Sequence, residues 1–252
     1  MDGLELLVDL HRSARRQGPG GDDETRLAIR LSGLGDASDV RIADIGCGSG
    51  ASTLVLASEI DAIVTAVDFV PGFLAELETA SEHAGLRDRI RPLNTSMEAL
   101  PFQDGQFDAI WSEGAIYSMG FANGVRSWRR FLRPGGILAV SELTWLTNDR
   151  PPDLQDHWTR EYPEVDTAAR KLDVLEESGY APIGYFVLPK HCWMDNYYTP
   201  MRGRFRAFLD RNGNSAEAVA LVETEEAEIS LYERYSEYIS YGFYIARRTS
   251  TL

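Results

Sequence analysis

The chain has 252 residues, 44% hydrophobic and 25% charged, an ordinary balance for a globular protein that can bury a sizeable core. Cys47 and Cys192 are too few for a disulfide framework, no apolar run is long enough to span a bilayer, and the first residues lack the basic-then-apolar order of a secretion signal. Twenty-five basic against 39 acidic side chains give a formal charge of −14, which repels a polyphosphate chain.

A cytoplasmic protein with no membrane and no nucleic-acid partner is therefore expected. The basic clusters Arg12/Arg15/Arg16, Arg129/Arg130/Arg133 and Arg202/Arg204/Arg206 read as solvated helix faces or flanks balanced by nearby acids. Residues 4–16 carry apolar side chains at near-helical spacing, and the run 16–21, rich in glycine, ends that helix. Asp22 and Asp23 can cap a second helix to about Leu34.

Strands and helices then alternate: strand 40–45, helix 51–60, strand 62–67, helix 71–84, strand 90–94, strand 107–112, helix 123–132 and strand 136–143. This order predicts a parallel sheet with helices on both faces, and such sheets bind ligands at the carboxyl ends of their strands. Residues 144–163, with Trp145, Trp158, Tyr162 and three prolines, read as an irregular aromatic insertion. A helix over 164–178, a strand over 181–188, helices near 201–212 and 215–239, and a strand over 241–247 complete the chain. The roughly fifty residues between the last two strands exceed what a sheet needs, and connections of that length commonly carry a cap or a function.

The turn between the first strand and its helix reads Asp44-Ile45-Gly46-Cys47-Gly48-Ser49-Gly50. Residues without a Cβ let a ligand approach backbone N–H groups, and Asp68, twenty-two positions after Gly46, ends the next strand as an acceptor for ribose hydroxyls. Gly46, Gly48 and Ala51 also satisfy the looser G-x-G-x-x-A pattern, so the turn alone admits an NAD-type cofactor.

Further along stand Leu100-Pro101-Phe102, then Phe107-Asp108-Ala109-Ile110-Trp111-Ser112-Glu113, then Leu132-Arg133-Pro134-Gly135-Gly136-Ile137-Leu138. With the glycine turn and Asp68, these stretches resemble the class I S-adenosylmethionine-dependent methyltransferases in order, spacing and type over about Ile42 to Glu142. The run Trp111 to Tyr117, followed by Gly120-Phe121, looks like a bacterial small-molecule subgroup whose substrates are largely unassigned. The resemblance implies an α/β, Rossmann-like, seven-stranded and mostly parallel sheet with helices on both faces and a helical, aromatic cap insertion. It implies one methyltransferase domain over 1–252, divided into a helical segment 1–36, a cofactor-binding core 37–143, and 144–252 with the last strands and acceptor-covering insertions. The implied cofactor is S-adenosyl-L-methionine and the implied acceptor a small molecule. The rivals are an NAD-dependent oxidoreductase, drawing only on the glycine turn and Asp68, and a non-catalytic S-adenosylmethionine-binding module.

The resemblance also assigns roles. Gly46, Gly48 and Gly50 would pass close to the methionine and ribose parts of the cofactor. Asp44 would help hold the methionine ammonium, directly or through water, or else only cap the strand end. Asp68 would accept from the ribose, and Phe69 would flank the adenine. Ser96 and Met97 stand where relatives often carry an acid and a small residue at the adenine edge; serine replaces the acid here. Arg16, Gln17 and Gly18 would fold over the cofactor.

Glu113 and Tyr117 follow the fourth strand, where the family places residues near the transferable methyl, and an acid there can orient an acceptor or serve as base. Glu113 would otherwise cap the next helix, and Glu142 at the end of the fifth strand poses the same choice. His157 and His191 rank below them as proton acceptors. No histidine or cysteine spacing argues for a metal. Trp111, Tyr117, Trp145, Trp158, Trp193, Tyr197 and Tyr198 form either an acceptor pocket or packing. Glu223, Glu225, Glu226 and Glu228 read as the wet face of a helix.

Overall fold

Nearly every residue of Val40–Ile45 (β1) is buried, as expected for a parallel strand covered on both faces. The structure, a computed structural model, describes residues 3–250. Two helices, Gly3–His11 (α1) and Asp22–Ser32 (α2), precede β1. The alternation then runs Ala51–Glu59 (α3), Ala62–Asp68 (β2), Pro71–His83 (α4), Ile90–Asn94 (β3), Phe107–Glu113 (β4), Phe121–Trp128 (α5) and Leu132–Trp145 (β5). After it come Pro152–Glu161 (α6), the two-residue Asp166–Thr167 (β6), Ala168–Glu177 (α7), Tyr180–Val187 (β7), Lys190–Trp193 (α8), Thr199–Arg211 (α9), Ala216–Tyr235 (α10) and Ile239–Arg248 (β8).

The seven main strands lie in the order β3-β2-β1-β4-β5-β8-β7, with β6 beside β5. Pairing is parallel from β3 across to β5, while β8 runs antiparallel to both β5 and β7. The expected Rossmann-like sheet of seven mostly parallel strands is thus the one observed. Alternation along each strand divides the core. Val40 and Ile42 of β1 join Leu56 of α3, Leu77 of α4 and Phe208 of α9 on one face, while Ala43 and Ile45 join Val125 of α5 and Leu175 of α7 on the other.

Several expected boundaries shift for identifiable reasons. The first helix stops at His11, not Arg16, because Ser13 adopts a left-handed φ of 60° and its N–H turns to Glu76 (3.1 Å). Gly21 rather than an aspartate precedes α2, since Asp22 places its carboxylate on Arg15 and Arg16. Residues 144–163 are not irregular: they contain α6, with a proline in its first turn where no N–H partner is needed. The helix expected over 164–178 begins only at Ala168, because Asp166–Thr167 pairs with β5 first.

Candidate active site

The strand order reverses between β1 and β4, and ligands of open α/β sheets bind beyond the carboxyl ends at that point. There lies a cavity of about 450 Å³, within the ~300–1,000 Å³ usual for small-molecule sites. Its floor is the glycine turn, with Gly46, Cys47 and Gly48; Asp68 and Phe69 flank it on one side, and Glu113, Gly114, Ala115 and Tyr117 on the other. Arg16, Gln17 and Gly18 cross its mouth, and Glu142, Trp158, Tyr162, Glu225, Glu228 and Tyr241 line the far end.

A Cβ is strained at Gly46 and at Gly48 of the turn. Gly46 and Gly48 have φ of 74° and 54°; a Cβ on the first would collide with Ala115, and on the second with the Gln17 side chain. Gly50 differs in kind, because its missing Cβ makes room for Leu77 of α4 and the residue does not line the cavity. Asp68 is held open toward the ligand side by two backbone donors, Gly48 N–H to Oδ2 and Val70 N–H to Oδ1, both at 2.9 Å. Phe69 beside it is 53% exposed, a large apolar ring without cover on a cavity wall.

Asp44 is fully buried behind the turn. Its Oδ2 accepts from the hydroxyls of Ser52 (2.9 Å) and Thr53 (2.6 Å), while Oδ1 has no partner. Burial, countered by those hydroxyls, pushes its carboxyl up to about 7. An orphaned acceptor behind the glycine turn, an accessible aromatic ring and a ribose-height carboxylate together fit an adenosyl amino-acid ligand. Ser96 and Met97 stand outside the cavity. Ser96 Oγ accepts from Glu98 N–H (3.2 Å), and the Met97 methyl packs toward Gly46 while its carbonyl accepts from the Trp128 indole (3.5 Å).

The N-terminal strap is fastened at three levels. Gln17 Oε1 accepts from Ser49 N–H (2.8 Å) and its amide donates to Ala14 O (3.0 Å), tying the strap to the glycine turn. Arg16, 8% exposed, donates to Glu113 Oε2 (3.1 Å) and to Asp22 (3.2 Å). Gly20 O accepts from Asn196 Nδ2 (2.7 Å). Arg16 is therefore no solvated helix charge, contrary to the reading of its cluster.

Glu113 is fully engaged. Besides Arg16, its Oε1 accepts from Thr25 Oγ1 (2.7 Å) and Trp111 Nε1 (2.9 Å), so it joins α2, β4 and the strap rather than offering a free lone pair to an acceptor. Neither histidine singled out in the sequence reaches the cavity. His157 lies on α6 with its ring edge-on to Trp158 (5.0 Å), and the exposed His191 pairs with Glu24 (3.3 Å) on the outer side of the strap. The histidine that does line the cavity is His11, stacked on Tyr197 at 5.9 Å; burial lowers its pKa to about 4, so the ring is neutral. Nothing in the spacing of a helix-terminal histidine distinguishes it in the sequence.

Among the aromatics, Tyr117, Trp158, Trp193 and Tyr197 line the cavity, whereas Trp111, Trp145 and Tyr198 pack in the core. Glu225 and Glu228 also leave their expected place: α10 turns them inward, and only Glu223 and Glu226 remain on the outer side. Among the described residues one group has metal-ligand atoms within 4.8 Å, Glu24 with His191 and Cys192, and burial raises the Cys192 thiol there.

A nucleotide-cofactor site on a Rossmann-like sheet is the class that this fold and geometry define. A family profile described as a methyltransferase domain matches residues 42–136. A malonyl-[acyl-carrier protein] O-methyltransferase of Dechloromonas aromatica is 33% identical over 141 residues, covering 53% of this chain and 50% of that protein. A 27-O-demethylrifamycin SV methyltransferase of Amycolatopsis mediterranei is 25% identical over 236 residues, covering 87% and 80%. The chain thus spans half the length of the first relative and most of the second. The crystal structure of an S-adenosylmethionine-dependent methyltransferase from Geobacter sulfurreducens, in complex with S-adenosyl-L-homocysteine, superposes with a TM-score of 0.82 at 20% identity, covering 96% of this chain and 97% of that one. Residues 42–136 thus match a methyltransferase domain, and the chain as a whole has the fold of S-adenosylmethionine-dependent methyltransferases.

Proposed function

We propose that the chain transfers the methyl group of S-adenosylmethionine to a small-molecule acceptor held at the far end of the cavity. One observation carries this reading: a single cavity joins the Gly46–Gly48 turn and Asp68 to a second region walled by Glu142, Tyr162, Glu228 and Tyr241. When bound, the cofactor supplies a methyl on an electrophilic sulfonium, and the protein's task is alignment and exclusion of water. Gly46 and Gly48 give backbone approach, Asp68 accepts from the ribose, Phe69 stacks on the adenine, and Asp44, buried behind the turn and off the cavity wall, serves the ammonium through water. Met97 backs the glycine turn by packing toward Gly46, and Ser96 beside it lies off the cavity wall.

Arg16, Gln17 and Gly18 close over the cofactor. Glu113 is a positioning residue that holds this strap through Arg16, and Tyr117 borders the reacting region. Helices α6, α8 and α10, with Tyr197 between α8 and α9, supply the acceptor walls, and small polar or aromatic acceptors fit a chamber of this size better than a polymer. Both relatives bear names of methyltransferases acting on substrates other than nucleic acid, which accords with this reading. Two free buried cysteines suit a reducing compartment such as the cytoplasm; among the described residues no helix is long and apolar enough to cross a membrane.

Calorimetric titration tests the reading. Micromolar or tighter binding of S-adenosylhomocysteine with no response to NADH is expected. Binding of NADH instead would return the glycine turn to a dinucleotide role. Bound cofactor without methyl transfer across a broad acceptor panel would favour the non-catalytic module.

A further inference from the structure

The far end of the cavity is more acidic than cofactor binding requires. Apart from Arg16, which is committed to Glu113 and Asp22, no arginine or lysine among the described residues lines it. Asp68 and Glu113 have tasks at the cofactor end. Glu142, Glu225 and Glu228 remain, supplied by β5 and α10, with no task at that end; Glu161 of α6 lines the cavity as well, but it is exposed and pairs with Arg160 (3.0 Å).

Glu142 is 1% exposed. Its Oε1 accepts the Leu143 N–H (2.6 Å), but Oε2 has no hydrogen-bond partner. Tyr162 Oη, on the same wall, also lacks one; phenol and carboxylate feel one another without meeting in hydrogen-bond geometry. A buried acceptor left without a donor is costly, and a ligand donor reaching between the two oxygens would satisfy both. The cation whose field reaches Glu142 is Lys171, which lies outside the cavity over the rings of Phe121 (4.5 Å) and Tyr162 (5.6 Å) and donates to Glu164 O (3.3 Å).

Facing them from α10, Glu228 accepts the Tyr198 hydroxyl (2.8 Å), and burial with repulsion from Glu228 pushes Glu225 up to about 7. Desolvation and the fields of Glu142, Glu228 and Glu225 all raise the phenol of Tyr117, a residue 49% exposed, so this tyrosine lies within reach of all three carboxylates on the wall of the cavity they share. A positive ligand there relieves the repulsion, gains charge-assisted hydrogen bonds and meets the faces of electron-rich rings.

We propose that the acceptor is an amine, protonated in solution, whose ammonium seats between Glu142, Glu225 and Glu228 and against Tyr117, Tyr162 and Tyr241. Glu142 Oε2 takes one ammonium proton, giving a neutral carboxyl and a neutral amine whose lone pair is free for alkylation. Burial lifts the Glu142 carboxyl to about 7, close to the working range of a base. This inference rests on the methyl-transfer reading of the same site.

The test uses the full chain saturated with S-adenosylhomocysteine, titrated with phenethylamine and with its neutral counterpart 2-phenylethanol. The amine is expected to bind about tenfold tighter or better. In Glu142→Gln/Glu228→Gln that preference is expected to vanish while S-adenosylhomocysteine affinity stays within about threefold; Glu225→Gln, with a single change on α10, should lower it in part. Equal binding, or no binding, of both probes to the loaded wild-type chain overturns the amine assignment. So does a double variant that weakens S-adenosylmethionine while sparing S-adenosylhomocysteine, since the carboxylates would then serve the donor's sulfonium. Failure of wild type to bind S-adenosylhomocysteine at all would instead sink the underlying methyl-transfer reading.

Discussion

Arg16 and Glu113, ninety-seven positions apart, form a buried ion pair at 3.1 Å with side chains 8% and 7% exposed. The pair joins the strap to the end of β4, and Glu113 uses its other oxygen to bind Thr25 and Trp111. Desolvation opposes the Arg16 charge, but Glu113 and Asp22 outweigh it and raise the guanidinium's pKa. The strap is thus held at the mouth of the cavity by electrostatics as well as packing.

Arg16→Ala is expected to destabilise the chain by about 3–5 kcal/mol, because it leaves Glu113 buried and without its cation. Chemical denaturation measures that loss. S-adenosylhomocysteine affinity should fall as well, as it should on deletion of residues 1–21. Unchanged affinity in both variants would detach the strap from cofactor binding.

Gly48→Ala should cost about 1–2 kcal/mol from the left-handed backbone alone, and its methyl would also push on Gln17. The two effects separate in a double-mutant cycle. Gln17→Ala removes bonds to Ser49 and Ala14 in the wild-type chain, yet should cost less in the Gly48→Ala background, where the added methyl has already displaced that side chain. Additive losses would mean that strap and turn are independent.

The sheet was legible in the sequence because strand and helix periods alternate cleanly from Val40 to Glu142 and the glycine turn marks the first crossover. The cavity wall at Gly46, Gly48, Asp68 and Phe69 followed from the same signals. The wall proposed for the acceptor did not. Glu225 and Glu228 sit on a helix with acids on several faces, so no periodic stripe reveals which of them turns inward. His11 and Tyr241, from opposite ends of the chain, meet the cavity through tertiary contacts that no local spacing encodes, and Gly50 followed the motif while serving α4 instead.

Asp68→Asn should weaken S-adenosylhomocysteine binding by about 1.5–3 kcal/mol, roughly ten- to a hundredfold, since a charged acceptor for two ribose hydroxyls becomes a neutral one. Its amide would also confront Gly48 N–H or Val70 N–H, donor against donor, so a modest fall in Tm should accompany the loss. Full affinity in this variant, read by calorimetry, would remove Asp68 from the ribose site.

Glu142 makes stability depend on pH with a definite sign. Burial lifts its folded carboxyl from 4.5 to about 7, against the opposing pull of Lys171 and the Leu143 N–H and with help from Glu164. Between those values the folded chain holds a proton that the unfolded chain has released, so stability falls as pH rises from about 4.5 to about 7 and is level in this respect above it. Asp44 and Glu225 act in the same direction but are common to wild type and variant. Glu142→Gln keeps the acceptor for Leu143 and abolishes the proton linkage. The Tm of Glu142→Gln minus that of wild type, measured without ligand, should therefore grow between pH 5 and pH 8 by a few degrees, corresponding to about 1–3 kcal/mol. A difference that is flat or shrinks across that interval would mean that Glu142 is ionised in the folded chain at both ends of it, stripping the acceptor wall of its base.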